Sequence, residues 1–337
     1  MNRLVIGIII WNNVDDAIAC ADSLLEQTNK DFTVLLLNNN STDPNVAEHI
    51  WKYIKKASGT RMVYLESDKN NGTAGGFNTI ARWAKENDYE FFGSLNADAV
   101  ADRNWVDGLL KAFASGASIV TGTLLHANKK TIDTTGDFYT SWGLPGPRLR
   151  DQSSEKVPSN DDFVFAATGG GFIAKTSLIE SVGKFDETFF MYYEDVDWCF
   201  RAQLLGNTVR YTPSAVAFHK RGSSSQTVPG LAIYNTFKNL PILFVKNVPL
   251  SLCWRMYPRF VLMYALILGN AIRRGNGIPA LKGWLMSWRY LVYTFRERLR
   301  IQQTRTVEDS YLNSIILDDI PPDQVGLRKF RKFFTGK

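Results

Sequence analysis

Apolar runs alternate with segments of helical spacing through the first 122 residues of the chain. Runs such as LVIGIII and FTVLLL are apolar at nearly every position, which is typical of strands covered on both faces of a sheet. The segments between them space their apolar residues as a helix with one buried face requires. This alternation predicts an α/β fold with a mostly parallel central sheet flanked by helices. The predicted strands are residues 4–10, 32–37, 61–66, 89–95 and 117–122, and the predicted helices are residues 14–27, 44–56, 74–85 and 103–114.

Polar side chains and glycines follow four of these predicted strands. Ligands of open α/β sheets bind beyond the carboxyl ends of the strands, so these stretches are expected to meet at one edge of the sheet. Their clustering predicts a small-molecule site there. The stretches are WNN at residues 11–13, NNNSTD at 38–43, DKNNGTAGGFN at 68–78 and NADA at 96–99.

The middle of the chain interrupts the alternation. Residues 126–163 are polar, weakly periodic and marked by Gly and Pro, which predicts a hairpin or a mobile loop. Three glycines at residues 169–171 then precede another predicted strand and helix. We predict one α/β domain over residues 1–233 and a helical region over residues 234–337.

The C-terminal region differs from the rest in charge. Residues 234–337 hold 17 Lys and Arg against 6 Asp and Glu, whereas the whole chain has a net charge of only +6. Trp, Tyr and Leu recur among these arginines, and the longest apolar run, Phe260–Leu268, is shorter than the roughly 20 residues that span a bilayer. Cationic, aromatic-rich amphipathic helices bind anionic membrane surfaces. The alternative is a helical subdomain with solvated arginines.

Cysteine usage and the N-terminus bear on the cellular compartment. Three widely separated cysteines (Cys20, Cys199 and Cys253) argue against a disulfide framework or a cysteine-ligated metal and fit a reducing compartment. The apolar run at the N-terminus lacks a small-residue cleavage site and is predicted to be a buried strand rather than a signal peptide.

Two stretches carry carboxylates in positions suited to chemistry. Asp98 follows a predicted buried strand, where a carboxylate can bind Mg²⁺ or Mn²⁺ or can simply cap a turn. In FMYYEDVDWCFR, a helix starting at Glu194 would put Glu194, Asp197 and Arg201 on one face. Asp197 and Arg201 would then form a structural ion pair four residues apart. Asp195 is left without a helical partner beside apolar residues that raise a carboxyl pKa, as a general base requires.

Taken together, these stretches resemble glycosyltransferase family 2, whose nucleotide-sugar-binding fold is called GT-A. The match covers residues 4–225 with the family's order and spacing, and its most specific part is the final one, from the Glu–Asp helix to His219. The matching pieces are IWNN…SLLEQTNKDFTVLLLNNNSTD, NNGTAGGFNTIARWA, LNADAVADRNWVDGLL and GGGFIAKTSLIESVGKFDETFFMYYEDVDWCFRAQLLGNTVRYTPSAVAFH.

The resemblance implies roles for individual residues. Asp195 matches the general base that deprotonates the acceptor hydroxyl, while Asp98 and His219 match metal ligands for Mg²⁺ or Mn²⁺. Asn39 matches the position that contacts the nucleobase, and Gly170 and Gly171 match the lining of the acceptor pocket. The residues predicted to line the nucleotide-sugar site are Trp11, Asn39, Asn71, Gly75, Asn78, Asn96, Gly170, Gly171 and Glu194.

The sequence departs from the family pattern at two of these positions. Asn96 stands where many members carry the first acid of an Asp-X-Asp motif, so metal binding is expected to be weaker. Asn39 stands where Asp is common, but its amide oxygen can still accept a hydrogen bond from the imide N–H of uracil or thymine. A dTDP- or UDP-type donor therefore remains compatible with the sequence.

The resemblance implies an inverting glycosyltransferase of a rhamnosyltransferase-like kind. We expect a lipid-linked glycan acceptor in bacterial cell-surface polysaccharide synthesis, and a cytoplasmic location on the inner face of the membrane. A homo-oligomer is compatible with the sequence. One alternative is a nucleotidyltransferase, although WNNVDD lacks a glycine- and lysine-rich phosphate loop. Another is a basic nucleic-acid-binding protein, although the C-terminal aromatics lie in apolar runs that favour a membrane. A catalytically inactive relative is a third.

Overall fold

The computed structural model describes residues 4–57, 61–220 and 228–321. Strands and helices alternate as the apolar pattern predicts, and four further helices and a short terminal one follow the last strand. The strands are β1 (Leu4–Ile10), β2 (Phe32–Asn38), β3 (Met62–Glu66), β4 (Phe91–Leu95), β5 (Ala99–Ala101), β6 (Ile119–His126), β7 (Ile132–Thr134), β8 (Asp137–Tyr139), β9 (Pro145–Pro147), β10 (Asp162–Val164), β11 (Gly171–Lys175) and β12 (Val209–His219). The helices are α1 (Val14–Leu25), α2 (Asn45–Lys56), α3 (Gly72–Glu86), α4 (Trp105–Ala112), α5 (Leu178–Ser181), α6 (Glu194–Leu204), α7 (Leu231–Asn247), α8 (Leu250–Arg273), α9 (Gly277–Arg289), α10 (Leu291–Thr304) and α11 (Asp309–Ile315).

The central sheet has the order β10-β12-β6-β11-β4-β1-β2-β3. The pairs β4–β1, β1–β2 and β2–β3 are parallel, and so is β12–β6. Strand β11 is inserted antiparallel between β4 and β6. The α/β prediction is confirmed, and the four strands expected to end at one edge are neighbours there.

The region predicted as a hairpin or loop contains short strands. Strand β7 pairs antiparallel with β6, and β8 with β9 forms a two-stranded hairpin. Strand β10 joins the edge of the main sheet through β12. The hairpin alternative is therefore correct for residues 137–147, and long-range pairing orders its neighbours.

One apolar core continues from the sheet into the first C-terminal helix. Phe92 and Phe172 of the sheet belong to the same buried cluster as Phe237, Leu243 and Phe244 of α7. The division at residue 233 stays a prediction, but α7 packs as part of the α/β core. Nothing among residues 4–57, 61–220 and 228–321 forms a helix with both the length and the apolar character that crossing a membrane requires.

Candidate active site

The predicted polar edge is assembled by hydrogen bonds between neighbouring strand ends. The Asn12 side chain, just past β1, donates to Thr42 Oγ1 and accepts from the Thr42 N–H, both at 2.8 Å. The Asn39 N–H, just past β2, donates to the Ile10 carbonyl at 2.9 Å. The loops after β1 and β2 therefore form one connected surface beside the start of α3.

Asn39 is buried against the start of α3. Its Nδ2 donates to Asn70 Oδ1 and to the Gly72 carbonyl, both at 3.1 Å, and its Oδ1 accepts from the Asn71 N–H at 3.3 Å. An amide oxygen can accept a second hydrogen bond, so this contact leaves room for a nucleobase N–H. Asn39, Asn71 and Gly75, which are predicted to line the nucleotide-sugar site, thus lie together. A Cβ on Gly75 would approach Asn71 Cβ to 2.2 Å.

Two other residues predicted to line the nucleotide-sugar site, Asn78 and Trp11, make hydrogen bonds elsewhere. The Asn78 amide bridges α3 to a distant segment, because its Oδ1 accepts from the Phe185 N–H at 2.8 Å and its Nδ2 donates to the Phe185 carbonyl at 2.9 Å. Trp11 follows β1, where its N–H donates to Asn13 Oδ1 at 3.0 Å. Neither arrangement joins these residues to Asp98 or Asp195 through a hydrogen bond.

Asp98 and His219 meet beside the end of β4. Short strand β5 pairs with the end of β12, which places Asp98 Oδ1 3.0 Å from His219 Nε2. Asn96 Nδ2 lies 3.3 Å from the same ring nitrogen. The two predicted metal ligands and Asn96 therefore surround one point.

A further carboxylate holds the other side of the histidine ring. Asp133 Oδ2 lies 2.8 Å from His219 Nδ1, and Asp133 Oδ1 lies 3.0 Å from Arg150 Nη2. Burial alone would lower the pKa of His219, but hydrogen bonds and charge from Asp133 and Asp98 raise it to about 9. A cation at Nε2 would have to displace that proton. Neither Asp133 nor Arg150 was predicted, because both lie in the stretch taken for a hairpin or loop.

The donor set suits a divalent cation that shares its coordination with a phosphate. Within the described part of the chain, no group of three or more His, Cys, Asp and Glu side chains is arranged to hold a metal by itself. Mg²⁺ in phosphate-transfer sites is commonly held by one or two carboxylates together with substrate oxygens. Asp98 and His219 fit this kind of partial set, with Asp133 in the position that usually orients a metal-bound histidine.

Asp195 lies in the first turn of α6 and faces the glycine segment before β11. Its Oδ2 accepts from the Gly169 N–H at 2.6 Å and its Oδ1 from the Val196 N–H at 2.8 Å. Burial raises the pKa of Asp195, and these N–H groups offset part of the rise. The result is an ionisable carboxylate that is held in place but still partly exposed.

The glycine segment connects Asp195 to the residues around His219. Gly169 contacts Asp195, while the Gly170 carbonyl accepts from the Asn96 N–H at 3.0 Å. A Cβ on Gly170 would come within 2.7 Å of Leu124 Cδ1, so this backbone lies too close to β6 for a side chain. This segment therefore links Asp195 to Asn96, which lies beside Asp98 and His219.

Comparison with known proteins identifies the family. The model for glycosyl transferase family 2 matches residues 5–168. The chain carries a glycosyltransferase family 2 domain. This match contains Asn39, Asn96 and Asp98 and ends before α6, and the roles of these residues, like those of Asp195 and His219, stay predictions.

Relatives of this family 2 protein act in glycan synthesis. The low-salt glycan biosynthesis hexosyltransferase Agl10 of Haloferax volcanii is 28% identical over 42% of this chain, which spans 46% of that relative. An N-acetylglucosaminyl-diphospho-decaprenol L-rhamnosyltransferase of Mycobacterium tuberculosis is 24% identical over 75% of this chain and 89% of its own length. The mannosyltransferase PcManGT of Pyrobaculum calidifontis, solved with GDP-Man and Mn²⁺, has a TM-score of 0.53 and 14% identity over 88% of this chain and 87% of its own. The fold is GT-A, as predicted.

Helix α6 presents its acids in two directions, as the helical spacing predicts. Asp197 is fully buried, with Oδ2 3.0 Å from Arg201 Nε and Oδ1 2.9 Å from Lys246 Nζ. Glu194 is buried on the same side, where burial and Asp195 raise its pKa well above the ordinary value and Lys238 opposes that rise. Two acids therefore face α7, and Asp195 faces the glycine segment before β11.

A second carboxyl near Asp195 was not predicted. Burial and the charge of Asp195 raise the pKa of Asp137 to about 7, and its Oδ1 accepts from Thr134 Oγ1 at 3.1 Å. Its position depends on the pairing of the Asp137 backbone with Ala166, which no local sequence signal announces.

Proposed function

We propose that this family 2 protein is an inverting glycosyltransferase that uses Asp195 as its general base. Asp195 takes the proton of an acceptor hydroxyl while the hydroxyl oxygen forms a bond to the anomeric carbon of the donor sugar. The bond from that carbon to the diphosphate oxygen breaks, and the nucleoside diphosphate leaves with the electron pair. A single displacement of this kind inverts the anomeric centre.

The observation that carries the proposal is the setting of the Asp195 carboxylate. It is fixed by two N–H donors, its pKa is raised by burial, and the glycine segment that contacts it also contacts Asn96, beside Asp98 and His219. A base with a raised pKa takes a proton more readily than an ordinary carboxylate.

Asp98 and His219 would hold Mg²⁺ or Mn²⁺ in this proposal, with Asn96 beside them. The cation would neutralise charge on the diphosphate leaving group. Asp133 would orient His219 through Nδ1 and leave Nε2 directed at the cation. The manganese in the solved mannosyltransferase supports use of a divalent cation in this fold.

The donor and acceptor classes rest on weaker support. Asn39 Oδ1 can accept a hydrogen bond from the imide N–H of uracil or thymine, which is compatible with a dTDP- or UDP-sugar. The name of the mycobacterial relative describes rhamnose transfer to a lipid-linked N-acetylglucosamine diphosphate. We propose the same classes here, with rhamnose as the first sugar to test, in the synthesis of a bacterial cell-surface polysaccharide.

A lipid-linked acceptor requires contact with a membrane, and α8, α9 and α10 offer a surface for it. Each of these helices exposes apolar side chains at helical spacing, among them Trp254 on α8 and Trp288 on α9, which are 77% and 57% exposed. Residues 250–304 contain nine Lys and Arg but a single acid, Glu297. Apolar stripes with basic neighbours bind the interface of anionic bilayers. We propose a peripheral protein on the cytoplasmic leaflet whose partners are the membrane and the two substrates, without nucleic acid.

Replacement of the base tests the reaction. Asp195→Asn should reduce kcat by about 10²–10⁴-fold while the affinity for UDP or dTDP with Mn²⁺ stays close to that of the parent protein. The assay uses dTDP-rhamnose and UDP-sugars with an N-acetylglucosaminyl diphospholipid, and titration calorimetry measures nucleotide affinity. Asp88→Asn, an exposed carboxyl in the turn after α3, is the matched control and should change neither quantity. Full turnover by Asp195→Asn would assign the base to another residue.

A further inference from the structure

The turn that leads into α6 has an uncommon backbone. Phe190 has φ 62° and ψ −63°, and the Met191 N–H donates to the Phe189 carbonyl at 2.7 Å. Together these define a γ-turn of the positive-φ form, which is rare and strained. Tyr192 and Tyr193 follow with φ of 68° and 71°, so three residues without the freedom of glycine lie in this region just before Asp195. Such a conformation persists only when its surroundings hold it.

Two neighbouring side chains of α7 hold this turn: Lys238 Nζ donates to the Thr188 and Phe189 carbonyls at 2.7 and 3.3 Å, and Asn239 contacts three carbonyls. Asn239 Nδ2 lies 3.0 Å from the Phe189 carbonyl oxygen, 2.9 Å from that of Met191 and 2.7 Å from that of Tyr192. The Asn239 side chain is fully buried. The opposite amide orientation would direct Oδ1 at three carbonyl oxygens, so the hydrogen-bond pattern fixes which atom faces the turn.

The same turn also contacts the start of α3, where Asn71 and Gly75 of the predicted nucleotide-sugar site lie. The Phe190 carbonyl accepts from the Ala74 N–H at 3.2 Å, and a Cβ on Gly72 would come within 2.1 Å of that oxygen. On its other side, the Tyr193 carbonyl accepts from the Asp197 N–H at 2.8 Å and so begins α6. The turn therefore sets the position of α6, which bears Asp195, relative to the start of α3.

We propose that Asn239 is a positioning residue for the transfer reaction, acting through the turn at residues 189–193 to fix Asp195. This inference rests on the proposed role of Asp195 as the base. It assigns to the C-terminal region a part in catalysis that is distinct from membrane contact. A displacement of about 1 Å at a reacting group can reduce a rate about 100-fold, so loss of the turn should lower kcat more than substrate affinity.

Helix α7 offers a matched control for this proposal. Asn235 is one turn away on the same helix and equally buried, but its Nδ2 donates to the Leu231 carbonyl of its own helix at 3.1 Å. Replacing Asn235 thus removes a buried amide without touching the turn. A purely structural role for Asn239 predicts that the two positions behave alike once their losses of thermal stability are matched.

The test compares Asn239→Asp and Asn239→Ala with Asn235→Asp and Asn235→Ala in the full chain. Asn239→Asp should lower kcat by about 10–100-fold, with nucleotide affinity nearly unchanged, because an oxygen replaces the donor that faces three carbonyls. Asn239→Ala should lose less, since it removes the donor without adding repulsion. The Asn235 variants should keep the parent kcat even where their melting temperatures fall. Equal kcat in the Asn239 and Asn235 variants would overturn the proposal.

Hydrogen exchange separates this proposal from the proposed function. The amide of Met191 and those at the start of α6 should exchange faster in Asn239→Asp and unchanged in Asn235→Asp, whether or not the protein transfers a sugar. Parent protein that is inactive with every donor would contradict the proposed function, while the exchange result would still decide whether Asn239 holds the turn. Unchanged exchange in Asn239→Asp, or faster exchange with full kcat, would overturn the positioning role.

Discussion

Helix α7 and the helices that follow it all combine basic with apolar residues, but α7 buries its basic side chains whereas the later helices expose apolar ones. Helix α7 buries Lys238 and Lys246 against the α/β domain, whereas α9 exposes Ile278, Leu285 and Trp288. Charged groups are seldom buried without partners, and large apolar groups seldom form exposed stripes without a use. The contrast teaches that the positive charge of this region serves two purposes. The inner helix uses it to bind buried acids and carbonyls, and the outer helices leave basic side chains such as Arg273 and Lys282 exposed.

The inner arrangement depends on compensation between buried charges. Lys246 is ion-paired with both Asp186 and Asp197, and Asn247 Nδ2 donates to Asp197 Oδ1 at 2.8 Å. Burial alone would raise the pKa of Asp186, but Lys246 and Thr188 bring it down to about 2. Asp186 therefore stays ionised in the interior with Lys246 as its cation, and Asp197 contacts both Lys246 and Arg201.

Removing Lys246 should produce the largest change in stability. Lys246→Met leaves two buried carboxylates with less compensation, and breaking a buried ion pair in this way costs about 3–5 kcal/mol. Urea denaturation of the full chain measures the free energy of unfolding. Lys282→Met, at an exposed position of α9, is the control and should change that free energy by no more than about 0.5 kcal/mol. Similar losses for the two variants would remove the distinction between inner and outer helices.

The sequence predicted what depends on local periodicity. Strands β1 to β4 and the orientation of Asp195 away from Asp197 follow from the spacing of residues within single elements. The shared edge of the sheet follows from the alternation of these strands with helices. Lys246 was counted only as positive charge, because its partner Asp186 is 60 residues away and the pairing appears only in the folded chain. Asp133 and Asp137 were missed for a related reason, since strand pairing with distant residues orders the segment that carries them.

An outer-helix substitution should change membrane binding rather than stability. Trp288→Ala removes an exposed indole from the proposed membrane surface and should weaken binding to anionic vesicles about tenfold, which corresponds to about 1.4 kcal/mol. Vesicle sedimentation at two salt concentrations measures this, and added salt should weaken binding of the parent protein. Trp51→Ala is the matched control, because Trp51 is 50% exposed on α2 and lies outside the C-terminal region. Equal binding by parent, Trp288→Ala and Trp51→Ala would leave α8 to α10 without a membrane role.

The smallest expected effect concerns the pH dependence of the reaction, which substitutions in the outer helices α8 to α10 should leave unchanged. Asp195 acts as a base only when ionised, and burial raises its pKa. The rate constant kcat/KM should therefore fall as the pH drops through a value above the roughly 3.9 of an unperturbed aspartate. That pKa depends on burial and on the N–H groups of Gly169 and Val196, none of which belongs to α8, α9 or α10. Trp288→Ala should consequently leave the acid limb of the pH profile unchanged when the acceptor is supplied in detergent rather than in a bilayer. A shift of that limb in Trp288→Ala would mean that the outer helices influence the pKa of Asp195 and do not only contact the membrane.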